Sequence, residues 1–162
     1  MRLARAAVEE AARRLDAAER TRTQIRMLSL DHPEMDMDDA YAIQEAWIAR
    51  KIAAGAQARG HKIGLTSRAM QSALGIDTPD SGVLLDDMFF ADGDEIPAGR
   101  FIGTRIEAEL AFVLKAPLEG RGLSIDDVLA AVDHCTPALE ILDTRILRVD
   151  PQTGAARTVL DT

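Results

Sequence analysis

The stretch RIEAELAFVL, residues 105–114, alternates as a β-strand does, and it governs the interpretation of the chain. Successive side chains of an extended chain point to opposite faces, so Glu107 and Glu109 share one face with Cα atoms about 6.5–7 Å apart. Two neighbouring carboxylates repel each other and need water or a cation between them. The opposite face of the predicted strand is apolar and carries Ile106, Ala108, Leu110, Phe112 and Leu114.

A third glutamate, Glu140, lies inside a second apolar run, PALEIL. An isolated ion in such a run is costly to desolvate, so a glutamate there usually has a partner. Together with Glu107 and Glu109 it forms an all-oxygen set of the kind that Mg²⁺ or Mn²⁺ prefers. The alternative is that the first two acids line a solvated strand face beside Arg105 and that Glu140 pairs with Arg145.

Composition limits the function classes. The chain has 162 residues, 47% of them hydrophobic, which predicts a globular, soluble protein with a real core. Its formal charge of −8 and the absence of a long basic run argue against nucleic acid or an anionic membrane as partners. The single cysteine, Cys135, excludes an intramolecular disulfide and is more typical of a core residue than of a nucleophile.

The predicted location is the cytoplasm. No stretch reaches the roughly 18 apolar residues that a membrane helix needs, and the N-terminal segment is too charged for a signal peptide.

The first part of the chain predicts a helical region over residues 1–60. Residues 2–28 have helical spacing of Leu and Ala, and a second helix follows Pro33 with Asp36 or Asp38 as its N-cap. The predicted buried face of that second helix consists of Ile43, Trp47, Ile48 and Ile52.

Residues 61–162 have the texture of strands and turns, so the predicted fold class is α+β. HKIGLT predicts a strand, and the helix after it has Ser67 as N-cap and Gly75 just beyond its end. DTPDSG predicts a turn and VLLDDMFF a further strand. Ser124 and Asp127 have the spacing of a capping box that opens another helix.

Two more residues stand out, each with an ordinary alternative. Lys62 lies in a short apolar strand beside Gly64, where a lysine either anchors a substrate carboxylate or simply reaches solvent along the surface. Asp80 lies in a predicted turn, where its ordinary role is backbone capping. His61 and His134 lack the spacing of a triad or a metal site and are interpreted as structural.

Four segments, GHKIGLTSRAMQ, PDSGVLLDDMFF, RIEAELAFVL and PALEILDTRI, occur in the order and spacing of one known family. They resemble the hydratase branch of the fumarylacetoacetate hydrolase superfamily, which also contains 4-oxalocrotonate decarboxylases. The resemblance implies a mixed β-roll behind the N-terminal helical region and a homo-oligomer. Because chains of that family continue beyond the VLDT at which this sequence stops, we expect the roll to be C-terminally truncated, with residues 61–162 as its first part.

The same resemblance assigns site residues. It implies that Mg²⁺, with Mn²⁺ as an alternative, is bound by Glu107, Glu109 and Glu140. It places the side chains of Lys62, Leu74 and Asp80 against the substrate, with Lys62 and Asp80 as catalytic residues.

The implied reaction is a metal-dependent addition of water to a 2-oxo-enoate diacid in aromatic catabolism. Lys62 would offset negative charge, and Asp80 would move a proton directly or through a water. The division of acid and base between them stays open. A decarboxylase, in which Mg²⁺ would likewise chelate the 1-carboxylate and the 2-oxo oxygen of the substrate, is one alternative, and a non-catalytic subunit that needs a complete partner is another. A C–C bond hydrolase is disfavoured because no His–Glu pair is evident.

Overall fold

A computed structural model describes residues 2–161, except for the side chain of Leu74. The helices are α1 (Arg5–Thr21), α2 (Leu28–Asp31), α3 (Met37–Ala53), α4 (Arg68–Leu74) and α5 (Ile125–Ala131). The strands are β1 (Ala58–Gly64), β2 (Asp80–Leu85), β3 (Arg105–Leu114) and β4 (Val132–Leu142). This mixture of helices and antiparallel strands is an α+β fold, as predicted.

The chain forms two compact units, Met1–Ile102 with Thr144–Thr162, and Gly103–Asp143. The domain boundary expected at residue 60 and the mixed β-roll both stay predictions. Among the described residues, no helix is both long and apolar enough to cross a membrane.

The first unit has its core between α1 and α3. Leu3, Val8 and Ala11 of the N-terminal segment pack in one cluster with Ile43 of α3, and Ile146 joins them. Four further positions complete or border this core: Met27, Leu28, Met35 and Leu15. Of the Leu and Ala positions with helical spacing, Leu3 and Ala11 are buried and Leu15 is half-buried. The helix predicted over residues 2–28 is too long, because Arg22 takes the left-handed conformation and ends α1 at Thr21.

Helix α3 begins at the first of the two predicted caps. The Asp36 carboxylate accepts the backbone N–H of Asp39 at 3.0 Å, and the Asp39 carboxylate accepts the backbone N–H of Asp36, which completes a capping box. The predicted burial of Ile52 is wrong, because 47% of that residue is exposed. Ile52 lies nine residues after Ile43, and at about 100° per residue this places the two side chains on opposite sides of the helix.

A buried carboxylate ties the start of the chain to α3. Asp39 accepts the backbone N–H groups of Arg2 and Leu3, both at 2.9 Å, and is fully buried. Burial by itself would raise the Asp39 pKa, but the hydrogen bonds from Leu3, Arg2 and Asp36 together outweigh it and lower the pKa to about 2. The side chain therefore stays ionised and holds the segment before α1.

A second buried carboxylate, Asp150, holds the segment after β4. The Arg26 guanidinium donates to it at 2.8 Å, and the backbone N–H of Thr153 donates at 2.8 Å. These contacts, with Arg26 contributing most, lower the pKa of Asp150 to about 2. Nearby, Ile25 and Ile146 form an isolated parallel bridge.

Strands β1 and β2 form an antiparallel ladder in which Lys62 is opposite Gly82 and Gly64 is opposite Asp80. Helix α4 follows with Ser67 as N-cap and Gly75 in the left-handed conformation, as predicted. The second predicted strand was too long, since β2 stops at Leu85 and residues 86–88 form a 3₁₀ turn. The strand predicted for VLLDDMFF ends before Asp86, which forms two hydrogen bonds with Gln57. The backbone N–H of Asp86 donates to the Gln57 carbonyl, and the Asp86 carboxylate accepts the backbone N–H of Gln57.

The second unit is a hairpin of β3 and β4 joined through α5. Ser124 and Asp127 form the predicted capping box at the start of α5. The apolar face of the hairpin is exposed: Leu110 is 64% and Leu139 is 69% accessible. Cys135, expected in a core, is exposed on the same face, because it is the cross-strand partner of Phe112.

Candidate active site

The three glutamates come together through the register of the hairpin. Glu107 of β3 is directly opposite Glu140 of β4, and Glu109 is opposite Ala138. Directly paired residues of an antiparallel ladder project from the same face, and the diagonal neighbour is also within reach of a long side chain. All three carboxylates therefore project from one face of the hairpin.

One oxygen from each of these carboxylates lies within 4.8 Å of the other two. Glu107 and Glu109 are exposed, and Glu140 is half-buried. Magnesium binds oxygen ligands at about 2.0–2.1 Å, so two oxygens on one ion are at most about 4.2 Å apart. A small side-chain rotation is enough to close the observed spacing around a divalent cation.

The chemistry of this donor set fits a hard divalent cation. Three formal negative charges at close range repel each other unless a cation or water separates them. Carboxylate oxygens without nitrogen or sulfur ligands favour Mg²⁺, Mn²⁺ or Ca²⁺ over zinc or copper. Glu107, Glu109 and Glu140 are therefore the residues that would hold a metal.

The other two predicted catalytic residues form an ion pair in the first unit. Lys62 Nζ lies 3.2 Å from Asp80 Oδ1, and both side chains are roughly one-third accessible or less, 32% and 26%. Lys62 is in the middle of β1 and Asp80 is the first residue of β2 rather than part of a preceding turn. The pair therefore offers a hydrogen-bond donor, the Lys62 ammonium, next to a hydrogen-bond acceptor, the Asp80 carboxylate.

Two glycines make room for this pair. A Cβ placed on Gly64 would lie 2.2 Å from Asp80 Oδ1 and 3.1 Å from Lys62 Nζ. A Cβ on Gly82 would lie 3.4 Å from Lys62 Cε, against the aliphatic part of that side chain. The glycine in KIGLT is thus needed for a close approach, and it has no unusual φ.

A cavity of about 250 Å³ lies beside Asp80 in the same unit. Tyr41 of α3 lines it together with Asp80, and its hydroxyl accepts the backbone N–H of Ser81 at 3.2 Å. Sequence reasoning did not identify Tyr41, because a tyrosine on an amphipathic helix is ordinary and its partner is 40 residues away. The remaining lining includes Met37, Ile76, Pro79 and Val159.

The other residues singled out from the sequence have separate positions. The side chain of Leu74, a predicted substrate contact, lies outside the described part of the structure. His61 is exposed on β1 opposite Val83. His134 is exposed, with Nδ1 2.8 Å from an oxygen of Asp133.

The geometry thus comprises two groups: three carboxylates on the hairpin, and the Lys62–Asp80 pair beside its cavity. That these groups face one substrate stays a prediction.

The sequence is 55% identical over 151 residues to 2-oxo-hept-4-ene-1,7-dioate hydratase of Escherichia coli. The match covers 93% of this chain and 57% of the hydratase. The chain belongs to the family of this hydratase and its related decarboxylases. A comparison with models of known protein families found no match.

Two solved structures of a family member have the same fold. Both are 4-oxalocrotonate decarboxylase from Pseudomonas putida G7, one complexed with magnesium and adipate and the other with calcium and acetate. The first has a TM-score of 0.84 at 36% identity, covering 96% of this chain and 62% of the decarboxylase chain. The second has a TM-score of 0.83 at 38% identity, covering 89% and 56%.

This member of the hydratase and decarboxylase family therefore spans little more than half the length of the relatives that it matches. Its α+β architecture is that of the decarboxylase structures. Divalent metals occur in those two structures, which accords with the donor set on the hairpin.

Proposed function

We propose that this chain provides the metal centre and the Lys62–Asp80 pair of a Mg²⁺-dependent hydratase. The reaction is addition of water to 2-oxohept-4-ene-1,7-dioate, which gives 4-hydroxy-2-oxoheptanedioate in the homoprotocatechuate pathway of aromatic catabolism. The observation that carries the proposal is the convergence of three glutamates within 4.8 Å in a chain 55% identical to such a hydratase.

The glutamates would hold the cation from one face of the hairpin. When bound, a divalent cation supplies Lewis-acid stabilisation of the negative charge that develops on a 2-oxo oxygen. The ladder fixes the backbone positions of Glu107 and Glu140, so only their side chains would have to adjust to an ion. Manganese fits the same donor set.

Lys62 and Asp80 would act on charge and protons. The Lys62 ammonium would offset the charge of the substrate carboxylate or oxo group, in a chain whose formal charge is −8. The Asp80 carboxylate, already held by Lys62 at 3.2 Å, would move a proton directly or through a water during the double-bond shift. Leu74 would add an apolar contact to the substrate.

Decarboxylation is the second candidate, because loss of CO₂ would also leave negative charge on the 2-oxo oxygen, which the same cation would stabilise. The identity to the hydratase, 55%, exceeds that to the two decarboxylase structures, 38% and 36%. We therefore place hydration first.

The proposal includes a cytoplasmic homo-oligomer built on a β-roll. The exposed apolar face of the hairpin supports self-association, since contiguous apolar surface of this kind mediates protein contacts. The free, exposed Cys135 accords with a reducing compartment.

The metal centre is tested by Mn²⁺ binding, followed by electron paramagnetic resonance. We expect Glu107→Gln to weaken binding by about 10–100-fold, because it removes one charged ligand. Glu119→Gln is the matched control, since Glu119 is an exposed acid of the same unit and lies outside the cluster. Equal affinity of both variants would end the metal assignment.

Activity is tested by the loss of ultraviolet absorbance of the conjugated substrate. Because the chain matches 57% of the Escherichia coli hydratase, the assay is run on the chain and on a chimera that adds the remainder of that relative. Release of CO₂ from 4-oxalocrotonate at a higher kcat/KM than hydration would favour the decarboxylase.

A further inference from the structure

Two side chains of α3 form hydrogen bonds with the backbone N–H and carbonyl of Ser81, the residue after Asp80. The N–H of Ser81 donates to the Tyr41 hydroxyl at 3.2 Å, and the side-chain amide of Gln44 donates to the Ser81 carbonyl at 3.2 Å. Tyr41 and Gln44 are three residues apart, so they are neighbours on one helix face. Both backbone groups of Ser81 are therefore fixed by a single helical turn.

These two side chains take the place of a third strand. β2 pairs only with β1 in its two-stranded sheet, which leaves its second edge without a strand among the described residues. Buried or half-buried backbone groups at such an edge need partners. At Ser81 the partners are the side chains of Tyr41 and Gln44, one residue from the carboxylate that contacts Lys62.

We propose that Tyr41 is a positioning residue for Asp80, with Gln44 as its partner on the same face of α3. Fixing the Ser81 peptide sets the direction of the neighbouring Asp80 side chain toward Lys62 and toward the cavity that Tyr41 also lines. The inference rests on the proposed roles of Lys62 and Asp80 in catalysis. Its structural part, control of the Lys62–Asp80 contact, can be tested without turnover.

The test measures how fast acetic anhydride labels Lys62, by mass spectrometry with Lys115 of the other unit as internal reference. An amine held by a carboxylate reacts slowly, so we expect Asp80→Asn to raise the Lys62 rate at least threefold. Tyr41→Phe keeps the ring and removes the hydroxyl, and we expect at least a twofold rise. Combining both changes should give no more than Asp80→Asn alone, since Tyr41 acts through Asp80.

Two further variants complete the labelling test. Gln44→Leu removes the second contact to Ser81 and should raise the Lys62 rate in the same direction, which keeps the test valid if Tyr41→Phe folds poorly. Glu45→Gln, an exposed neighbour on α3, should leave the rate unchanged. Wild-type labelling in Tyr41→Phe and Gln44→Leu, or singles whose effects multiply in the double variant with Asp80→Asn, would overturn the proposal.

Turnover gives the second readout. We expect Tyr41→Phe to lower kcat about 5–50-fold, with KM and Mn²⁺ affinity within twofold of the wild type, because only the alignment of Asp80 changes. A parallel loss of Mn²⁺ binding would indicate general damage and contradict a positioning role. Turnover is measured in the chimera that adds the remainder of the Escherichia coli hydratase, and an inactive chimera would refute the proposed function, while the labelling result would still decide whether Tyr41 controls Asp80.

Discussion

Replacing Gly64 with alanine tests the site through one methyl group. The new Cβ would lie 2.2 Å from Asp80 Oδ1, whereas real Cβ contacts are essentially never below 3.0 Å, so the carboxylate has to move by at least about 0.8 Å. The displaced atom is the one that contacts Lys62 at 3.2 Å. A shift of about 1 Å in a reacting group can reduce a rate by about 100-fold.

Gly60→Ala is a closely matched control for this change. Gly60 is on the same strand, four residues earlier, and a Cβ there meets nothing within 4 Å. Neither glycine has a positive φ, so alanine is acceptable to the backbone at both. The two variants therefore share the loss of chain flexibility in the unfolded state and differ only in what the methyl group strikes.

The expected free energies of unfolding separate the two variants. Gly60→Ala should be neutral or stabilising by up to about 1 kcal/mol, because alanine reduces the entropy of the unfolded chain. Gly64→Ala should be about 1–3 kcal/mol less stable than that control, as expected for overpacking. Urea unfolding followed by fluorescence of Trp47, which is buried in α3, measures both.

The turnover rates of Gly64→Ala and Gly60→Ala give a second comparison. We expect Gly64→Ala to lose about 10–100-fold in kcat while Mn²⁺ binding to the hairpin is unchanged, and Gly60→Ala to resemble the wild type. If Gly64→Ala is as stable and as active as Gly60→Ala, the carboxylate of Asp80 does not occupy the space beside Gly64 and the assigned geometry is wrong.

Two further predictions concern acid and self-association. The pKa values of Asp39 and Asp150, about 2 in the folded chain, lie below an unfolded value of about 3.9. The stability that these carboxylates confer is therefore full above about pH 5 and is lost as the pH falls toward 2, and Asp39→Asn should flatten the fall in the urea midpoint between pH 6 and pH 3. An unchanged wild-type midpoint over that range would contradict the assignment. Separately, Leu110→Glu should reduce self-association measured by light scattering, and an unaltered mass distribution would show that the hairpin face is not the contact.

The glutamate cluster was the most predictable part of the site. Alternation alone places Glu107 and Glu109 on one face of a strand. Their meeting with Glu140 depends on a register in which Glu140 is opposite Glu107, and a slip of one residue would turn it to the other face. The connection between the two strands, residues 115–131, is too long for a tight turn to set that register, so local sequence patterns do not specify it.

The Lys62–Asp80 contact was less predictable from the residues. A turn aspartate and a strand lysine are ordinary residues, and only the resemblance to a known family linked them to a site. The pairing of β1 with β2 brings the two side chains together, because it places Gly64 opposite Asp80 and Gly82 opposite Lys62. The contribution of Tyr41 was missed for the same reason: it depends on a tertiary hydrogen bond and has no local signal.

The hairpin carboxylates and the Lys62–Asp80 pair differ in charge, and in the proposed enzyme this difference would give them different roles. Lys62 and Asp80 balance each other, so the pair can exist without any ligand. The three hairpin carboxylates bring three formal negative charges together at close range, in a chain whose formal charge is already −8. A dianionic substrate would be repelled from that face unless a divalent cation had first reduced its charge. In the proposed enzyme the cation would thus serve recognition as well as chemistry, and the neutral pair would place charge and protons once the substrate is held.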